Sequence, residues 1–235
     1  MNNFKLSNRL MQCASRVSHG SKIADIGTDH AYIPIYLALK SKISSALACD
    51  INIGPLKNAQ NNIQKYKLEK TISICLSDGL KNINSSEANE IIIAGMGGNM
   101  IANILNNCNW HNKDEKKFIL NPMKYDERLR KFLYENGYEI TFESAVSCCG
   151  KIYTVMDVIY TSRPHKYNPH ELYTGKLEKK ATLENILYIE KQLKNINNHL
   201  IGAKSEKRKD KESYFKKVYD EINTIMNIMQ KGDKQ

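Results

Sequence analysis

Four carboxylates sit beside short turns early in the chain: Asp25 and Asp29 in Asp25-Ile26-Gly27-Thr28-Asp29-His30, Asp50 after Cys49, and Asp78 in Ser77-Asp78-Gly79. Asp25, Asp50 and Asp78 each lie at or just past the end of an apolar run. Gly27 has no Cβ, so its backbone admits close approach. A dinucleotide site here would need Gly-x-Gly-x-x-Gly to seat a pyrophosphate on a helix N-terminus. Gly27 is followed instead by Thr28-Asp29-His30-Ala31-Tyr32. Two carboxylates around one glycine repel a diphosphate and suit a ligand with an ammonium and a sulfonium, which points to S-adenosylmethionine. An acid ending the second run can bind both hydroxyls of a ribose, and this is the role expected of Asp50. Asp78 suits an adenine amino group, with Gly79 making the tight turn. Reading all three acids as solvated loop residues would leave their repeated placement at run ends unexplained. The fourth run leads into Ala94-Gly95-Met96-Gly97-Gly98. Three glycines in four residues mark backbone approached closely by another group. Met96 suits either packing on the cofactor or an ordinary core position.

These residues need a scaffold that lines up the ends of successive strands. Apolar runs at 23–26, 46–49, 72–76, 91–94 and 118–120 alternate with helical stretches at about 30–41, 54–67, 80–84 and 98–108. A further helix is expected at 6–17, closed by Ser18-His19-Gly20. The alternation predicts a parallel sheet with helices on both faces. Unbroken apolar runs are expected of strands covered on both sides. After a helix at 124–136 and Gly137, two β-rich stretches, 138–147 and 151–160, flank Cys149-Gly150 as a hairpin. This hairpin brings one antiparallel strand to the sheet edge. The fold expected is α/β: a Rossmann-like seven-stranded sheet, six strands parallel and one antiparallel, as in the common methyltransferase sheet. Residues 1–162 form this domain. Residues 163–169 read as a linker, and residues 163–235 as a C-terminal helical domain. Leu172, Ile186, Leu193 and Leu200 are spaced by multiples of seven, and Phe215, Val218, Ile222, Ile225 and Met229 follow a 3-4-3-4 rhythm. Residues 170–230 are therefore expected to form a coiled-coil hairpin of two long helices.

The net charge is +10, and residues 163–235 hold a surplus of six of those positive charges. Lys204, Lys207, Arg208, Lys209 and Lys211 cluster at the expected turn of the hairpin. Such a surface attracts polyanions; a solvated helical face is the alternative. Six cysteines, at 13, 49, 75, 108, 148 and 149, include no Cys-x-x-Cys pair and no zinc spacing. Cys49 and Cys75 read as core residues, and Cys148-Cys149 as free thiols, which suit a reducing cytosol; a redox pair is the alternative, though adjacent cysteines rarely bond. With no apolar leader at the start and no run of 18 apolar residues, the chain is expected to be soluble and cytoplasmic, without membrane or metal. A monomer is expected.

Leu6-Ser7-Asn8-Arg9-Leu10, Ala24-Asp25-Ile26-Gly27-Thr28-Asp29-His30-Ala31-Tyr32-Ile33-Pro34, Asp78-Gly79-Leu80, Ile93-Ala94-Gly95-Met96-Gly97-Gly98 and Gly150-Lys151-Ile152-Tyr153 occur in this order. On these motifs the chain resembles the bacterial tRNA (adenine(22)-N(1))-methyltransferases, from about residue 5 to 160. The resemblance implies methyl transfer from S-adenosylmethionine to N1 of adenine 22 in tRNA, and a C-terminal coiled-coil hairpin. Asn121-Pro122-Met123 departs from the Gln-Pro-Asn usual in that family. The cofactor residues expected are Asp25, Gly27, Asp50, Asp78, Gly79, Ala94, Gly95 and Met96. N1 of adenine carries no proton, so no base is needed to free it. The methylated purine is cationic, however, and a carboxylate would stabilise the developing charge. Asp29 is the candidate, with a helix N-cap as its alternative role. His30 and Tyr32 follow as base contacts or stacking rings, His30 alternatively as a structural histidine; Tyr125 is a second stacking candidate. Asn121 would hydrogen-bond the base, or simply form a strand-to-helix turn with Pro122. Three rivals remain at this point: an adenine-N6 enzyme, suggested by Asn121-Pro122; a small-molecule methyltransferase; and an RNA-binding module without activity.

Overall fold

The computed structural model describes residues 4–108, 110 and 116–232. Seven strands form one sheet: β1 (Ser21–Ile26), β2 (Ile43–Asp50), β3 (Ile72–Leu76), β4 (Glu90–Ala94), β5 (Lys117–Asn121), β6 (Tyr138–Cys148) and β7 (Lys151–Tyr160). Their order is β3-β2-β1-β4-β5-β7-β6. Strands β1 to β5 pair in parallel, and β7 pairs antiparallel with both β5 and β6. The antiparallel strand therefore lies inside the sheet, and β6 forms the edge. This corrects the expected edge placement: after the tight turn at Cys149-Gly150, β7 fills the place beside β5.

The helices are α1 (Asn8–Arg16), α2 (Tyr32–Leu39), α3 (Ile53–Lys65), α4 (Gly98–Asn106), α5 (Asp126–Glu135), α6 (Glu171–Thr174), α7 (Leu183–Ser205) and α8 (Lys209–Gly232). The period-two geometry of a strand explains why isoleucine runs suit the sheet centre. In β4, Ile91 and Ile93 join Ile101, Leu105, Leu129 and Leu133 on the α4–α5 face, while Ile92 joins Cys13, Ala14 and Ile35 on the α1–α2–α3 face. In β5, Phe118 and Leu120 take the first face and Ile119 the second. Both faces are dry, and the chain changes direction across the sheet between β1 and β4. In open α/β sheets ligands bind beyond the strand carboxyl ends at this switch point.

The helix expected at 80–84 is a turn, followed by a short 3-10 segment at Ser85–Glu87. Polar side chains there take the backbone's partners. Asn82 Nδ2 donates to the Leu76 carbonyl at 2.9 Å, the Asn82 N–H donates to Ser77 Oγ at 3.1 Å, and the Asn84 N–H donates to Glu87 at 2.7 Å.

The long hairpin is present as α7 and α8. On α8 the expected seam holds in part: Val218, Ile222 and Met229 are buried together with Met226, while Phe215 and Ile225 only border the cluster. On α7 it is displaced. Tyr188, Ile189, Ile196 and Ala203 are buried, with Asn185 and Gln192 on the same buried face, whereas Ile186 and Leu193 only border the cluster. Helix α7 packs on β6 as well as on α8, so part of its buried face is polar. Asn185 accepts from the Ala145 N–H at 3.0 Å and donates to the Lys180 carbonyl at 2.9 Å.

Candidate active site

The carboxyl ends of β1, β2 and β4 stand level, because Ile26 pairs with both Cys49 and Ile93. The chain leaves β1 through Gly27, whose φ is +75°. The Gly27 and Thr28 N–H groups both donate to the Cys49 carbonyl at 2.8 Å, which fixes the loop against β2. Asp25 is buried, and its carboxylate accepts a 2.8 Å hydrogen bond from Thr28 Oγ1. Burial pushes its pKa up to about 6, against the opposing effect of the Thr28 bond. It is thus ionised at neutral pH and held at a cost that a cation can offset.

A cavity of about 550 Å³ opens over this loop, lined by Asp25, Gly27, Asp29, His30, Tyr32 and Ala94 together with the segment from Phe4 to Leu10. Asp29 is largely exposed and lies 3.0 Å from His30 Nε2. His30 stacks on Tyr32, with ring centroids 4.9 Å apart and planes 17° from parallel. Phe4 meets Tyr32 at 5.8 Å. The helix-cap role for Asp29 is not observed: Ala31 N–H goes to Thr28 Oγ1 at 3.2 Å. That leaves the Asp29 carboxylate with an imidazole and solvent.

The remaining expected residues lie along the same edge without lining this cavity. Asp50 accepts from the Asn52 N–H at 2.8 Å. Asp78 is exposed and paired with Lys81 at 2.6 Å. Gly79 has φ +61°, and an added Cβ would lie 3.1 Å from Ile104. Gly95 has φ +91° and faces the Arg9 guanidinium. Met96 lies over Gly27, where an added Cβ would be 2.1 Å from its terminal methyl. The close approach expected along the glycine run is found at Gly98, where a Cβ would meet the Tyr125 carbonyl oxygen at 2.2 Å. The Gly98 N–H donates to the Lys124 carbonyl and the Met123 N–H to the Met96 carbonyl, both at 2.8 Å. The loops after β4 and β5 are thereby strapped together.

Asn121 is fully buried, with both ends of its amide engaged. Its Oδ1 accepts from Arg9 at 3.1 Å, and its Nδ2 donates to the Thr154 carbonyl at 2.8 Å. It holds Arg9 in place from beneath rather than presenting an amide to a base. That geometry also removes the basis of an adenine-N6 reading of Asn121-Pro122. Arg9 is not among the site residues that the sequence motifs point to. The available signal was a cation in the first turn of a helix, where the macrodipole disfavours positive charge.

The methyltransferase domain family matches residues 6–156. The tRNA (adenine(22)-N(1))-methyltransferase of Bacillus subtilis is 37% identical over 177 residues, 75% of this chain and 74% of that protein. The chain belongs to the tRNA (adenine(22)-N(1))-methyltransferase family. Family resemblance extends through the hairpin in three dimensions. The crystal structure of the B. subtilis m1A22 tRNA methyltransferase TrmK superposes with a TM-score of 0.84 at 29% identity, covering 95% of this chain and all of that one. M. capricolum TrmK, in complex with S-adenosyl-homocysteine, superposes with a TM-score of 0.78 at 30% identity, covering 94% of this chain and 99% of that one. Among the described residues no helix is long and apolar enough to cross a membrane, and no group of three or more His, Cys, Asp or Glu side chains could hold a metal ion.

Proposed function

We propose that this chain transfers the methyl group of S-adenosylmethionine to N1 of adenine 22 in tRNA, with residues 1–162 carrying the chemistry and residues 163–235 facing the RNA. The observation that carries the reading is the charge arrangement around one cavity. A buried carboxylate at Asp25 and a guanidinium at Arg9 line the same cavity of about 550 Å³, a volume typical of small-molecule sites. An α-amino acid group needs one partner of each sign. Asp25 takes the amino group and Arg9, held by Asn121, takes the carboxylate. Asp50 takes the ribose hydroxyls and Asp78 the adenine amine. Gly27, Gly79, Ala94, Gly95 and Met96 form the wall of the cofactor site.

When bound, S-adenosylmethionine supplies an electrophilic methyl group. The protein's own task is then to place the adenine and to stabilise its developing positive charge. Asp29 stands at the cavity mouth with its carboxylate turned to solvent and to His30, so it can accept from the exocyclic amine and face the cationic ring. The stacked His30–Tyr32 pair offers a planar surface for an unpaired or flipped base. Incubation with labelled cofactor and unmodified tRNA should yield 1-methyladenosine at position 22. Product only at N6, or only on a small acceptor, refutes the reading; cofactor binding with no transfer to RNA makes the chain a binding module.

A further inference from the structure

The turn joining β6 and β7 carries adjacent cysteines that the methyl-transfer chemistry does not use. Cys148 is buried and Cys149 exposed, with their sulfurs 3.7 Å apart. Cys149 takes the left-handed conformation, with φ +52°, and Gly150 follows at +70°. The turn also touches the cofactor cavity. Asn8 Nδ2 donates to the Ser147 carbonyl at 3.1 Å, which ties the start of α1 to this turn, and the Arg9 backbone and Ser7 side chain favour the ionised Cys148 thiol. Ser7 and Arg9 both line the cavity.

The two thiols differ in character. Burial raises the Cys148 pKa, but the influence of the Arg9 backbone, Cys149 and Ser7 outweighs it and leaves the thiol more acidic than usual. The Cys149 thiol is shifted upward by its bond to Cys148. The pair thus combines a thiolate-prone sulfur with a solvent-exposed resolving one. Elsewhere burial pushes Cys13 up to about 12 and raises Cys49 further, which makes both poor nucleophiles.

We propose that Cys148 and Cys149 form a reversible thiol–disulfide site for hydroperoxides, whose oxidation loosens the Ser7–Arg9 segment and weakens cofactor binding. The Cys148 thiolate attacks a peroxide oxygen; the O–O bond breaks, and sulfenic acid and hydroxide form. The Cys149 thiol then attacks the sulfenic sulfur; the S–S bond forms, the S–O bond breaks, and water leaves. In sum, two thiols lose two electrons and hydrogen peroxide becomes two waters, or an organic hydroperoxide an alcohol and one water. Adjacent Cα atoms are ~3.8 Å apart, closer than unstrained disulfides prefer, so the ring is strained and readily reduced. Closing that ring reshapes the turn next to Ser147, whose carbonyl holds Asn8, so the segment that carries Arg9 loses its anchor.

This link rests on the assignment of the cavity to the cofactor, so the test reads two quantities. Wild-type protein and Cys149→Ser are treated briefly with hydrogen peroxide, mapped by peptide mass, and titrated with S-adenosylmethionine. The expected result is a 148–149 peptide lighter by two hydrogens and several-fold weaker cofactor binding in wild type, both reversed by dithiothreitol. Cys149→Ser should keep its affinity. Absence of that peptide, a bond mapped instead to the neighbouring Cys49 and Cys75, unchanged affinity after oxidation, or equal loss in Cys149→Ser overturns the proposal. Untreated protein that fails to bind the cofactor refutes the cavity assignment instead, while the peptide map still decides the thiol chemistry.

Discussion

At the scale of single residues, the proposed site rests on two carboxylates in different surroundings. Asp29 faces solvent and His30, and Asp25 is buried beneath Thr28. Asp29→Ala should lower kcat by about 10²-fold, the magnitude typical of one charge-stabilising group, and leave cofactor affinity nearly unchanged. Binding titrations beside single-turnover rates check this, and collapse of cofactor binding alone refutes the assignment. Asp25 makes a pH prediction. Its folded pKa of about 6 lies above its ordinary value of 3.8. Its contribution to stability is therefore fully present below pH ~4 and is lost as the pH rises through about 6. In the proposed site ligand binding has the opposite sign, because the amino group assigned to Asp25 needs the ionised form. Cofactor affinity should be flat above pH ~7 and fall below about 6. Asp25→Asn should bind poorly at every pH, yet unfold at a higher temperature than wild type at pH 7.5 without ligand. A wild-type affinity that is level from pH 5 to 8 overturns this account. Asp25, Asp29 and Gly27 were legible because a strand end followed by an acid and a glycine is a local pattern. Arg9 was not, because its role depends on Asn121, 112 positions away.

At the scale of elements, the loops after β4 and β5 and the start of α7 form one mechanical unit. Arg130 of α5 is fully buried and pairs with Glu143 of β6 at 2.7 Å, and it also donates to the Leu172 carbonyl at 2.7 Å and to Tyr188 Oη at 3.1 Å. Burial lowers the Arg130 pKa, but Glu143, Tyr188 and Asp126 together outweigh it and hold it well above its ordinary value. The Tyr188 hydroxyl donates to Asp126, the first residue of α5. Asp126 follows Tyr125, which has φ +60° and whose carbonyl lies against Gly98. Tyr188→Phe should lower stability by ~1–3 kcal/mol, the cost of stranding buried polar partners, and should also lower kcat by loosening Tyr125. Arg130→Ala should cost more, ~3–5 kcal/mol, because Glu143 is then buried without its counter-charge. Urea unfolding orders the two variants, and a Tyr188→Phe protein as stable as wild type refutes the network. None of this was visible beforehand. Strand and helix periods announce apolar faces, whereas a buried Arg, Tyr and Asn announce nothing until their partners are known. For the same reason the α8 seam, made of Val218, Ile222 and Met229, was legible and the α7 face, with Asn185 and Gln192 inside it, was not.

At the scale of the whole molecule, the +10 charge acquires a direction. The helical hairpin ends at a turn around Glu206–Arg208, and Lys204, Lys207, Arg208, Lys209 and Lys211 are all exposed there. Arg208 approaches an acid, Asp210, only at 3.9 Å, on the surface, where such a pair contributes little. The cluster therefore presents its charge to any polyanion that docks. Each phosphate contact releases a condensed counterion, so the logarithm of affinity should fall linearly with the logarithm of salt concentration, by about 0.7–0.9 per contact. Replacing Lys207, Arg208 and Lys209 with Gln should make that slope shallower by roughly 2–3 if all three touch phosphate. KM for tRNA should rise while kcat and cofactor affinity hold, because phosphate contacts position a nucleic acid without taking part in the chemistry. Fold stability should change little, since no buried partner is lost. The slope is the deciding quantity. An unchanged slope with an unchanged KM makes the cluster a solvated face and moves the RNA contacts to the cationic groups nearer the site, Lys124, Arg128 and Lys151, which line the cleft between α5 and the hairpin.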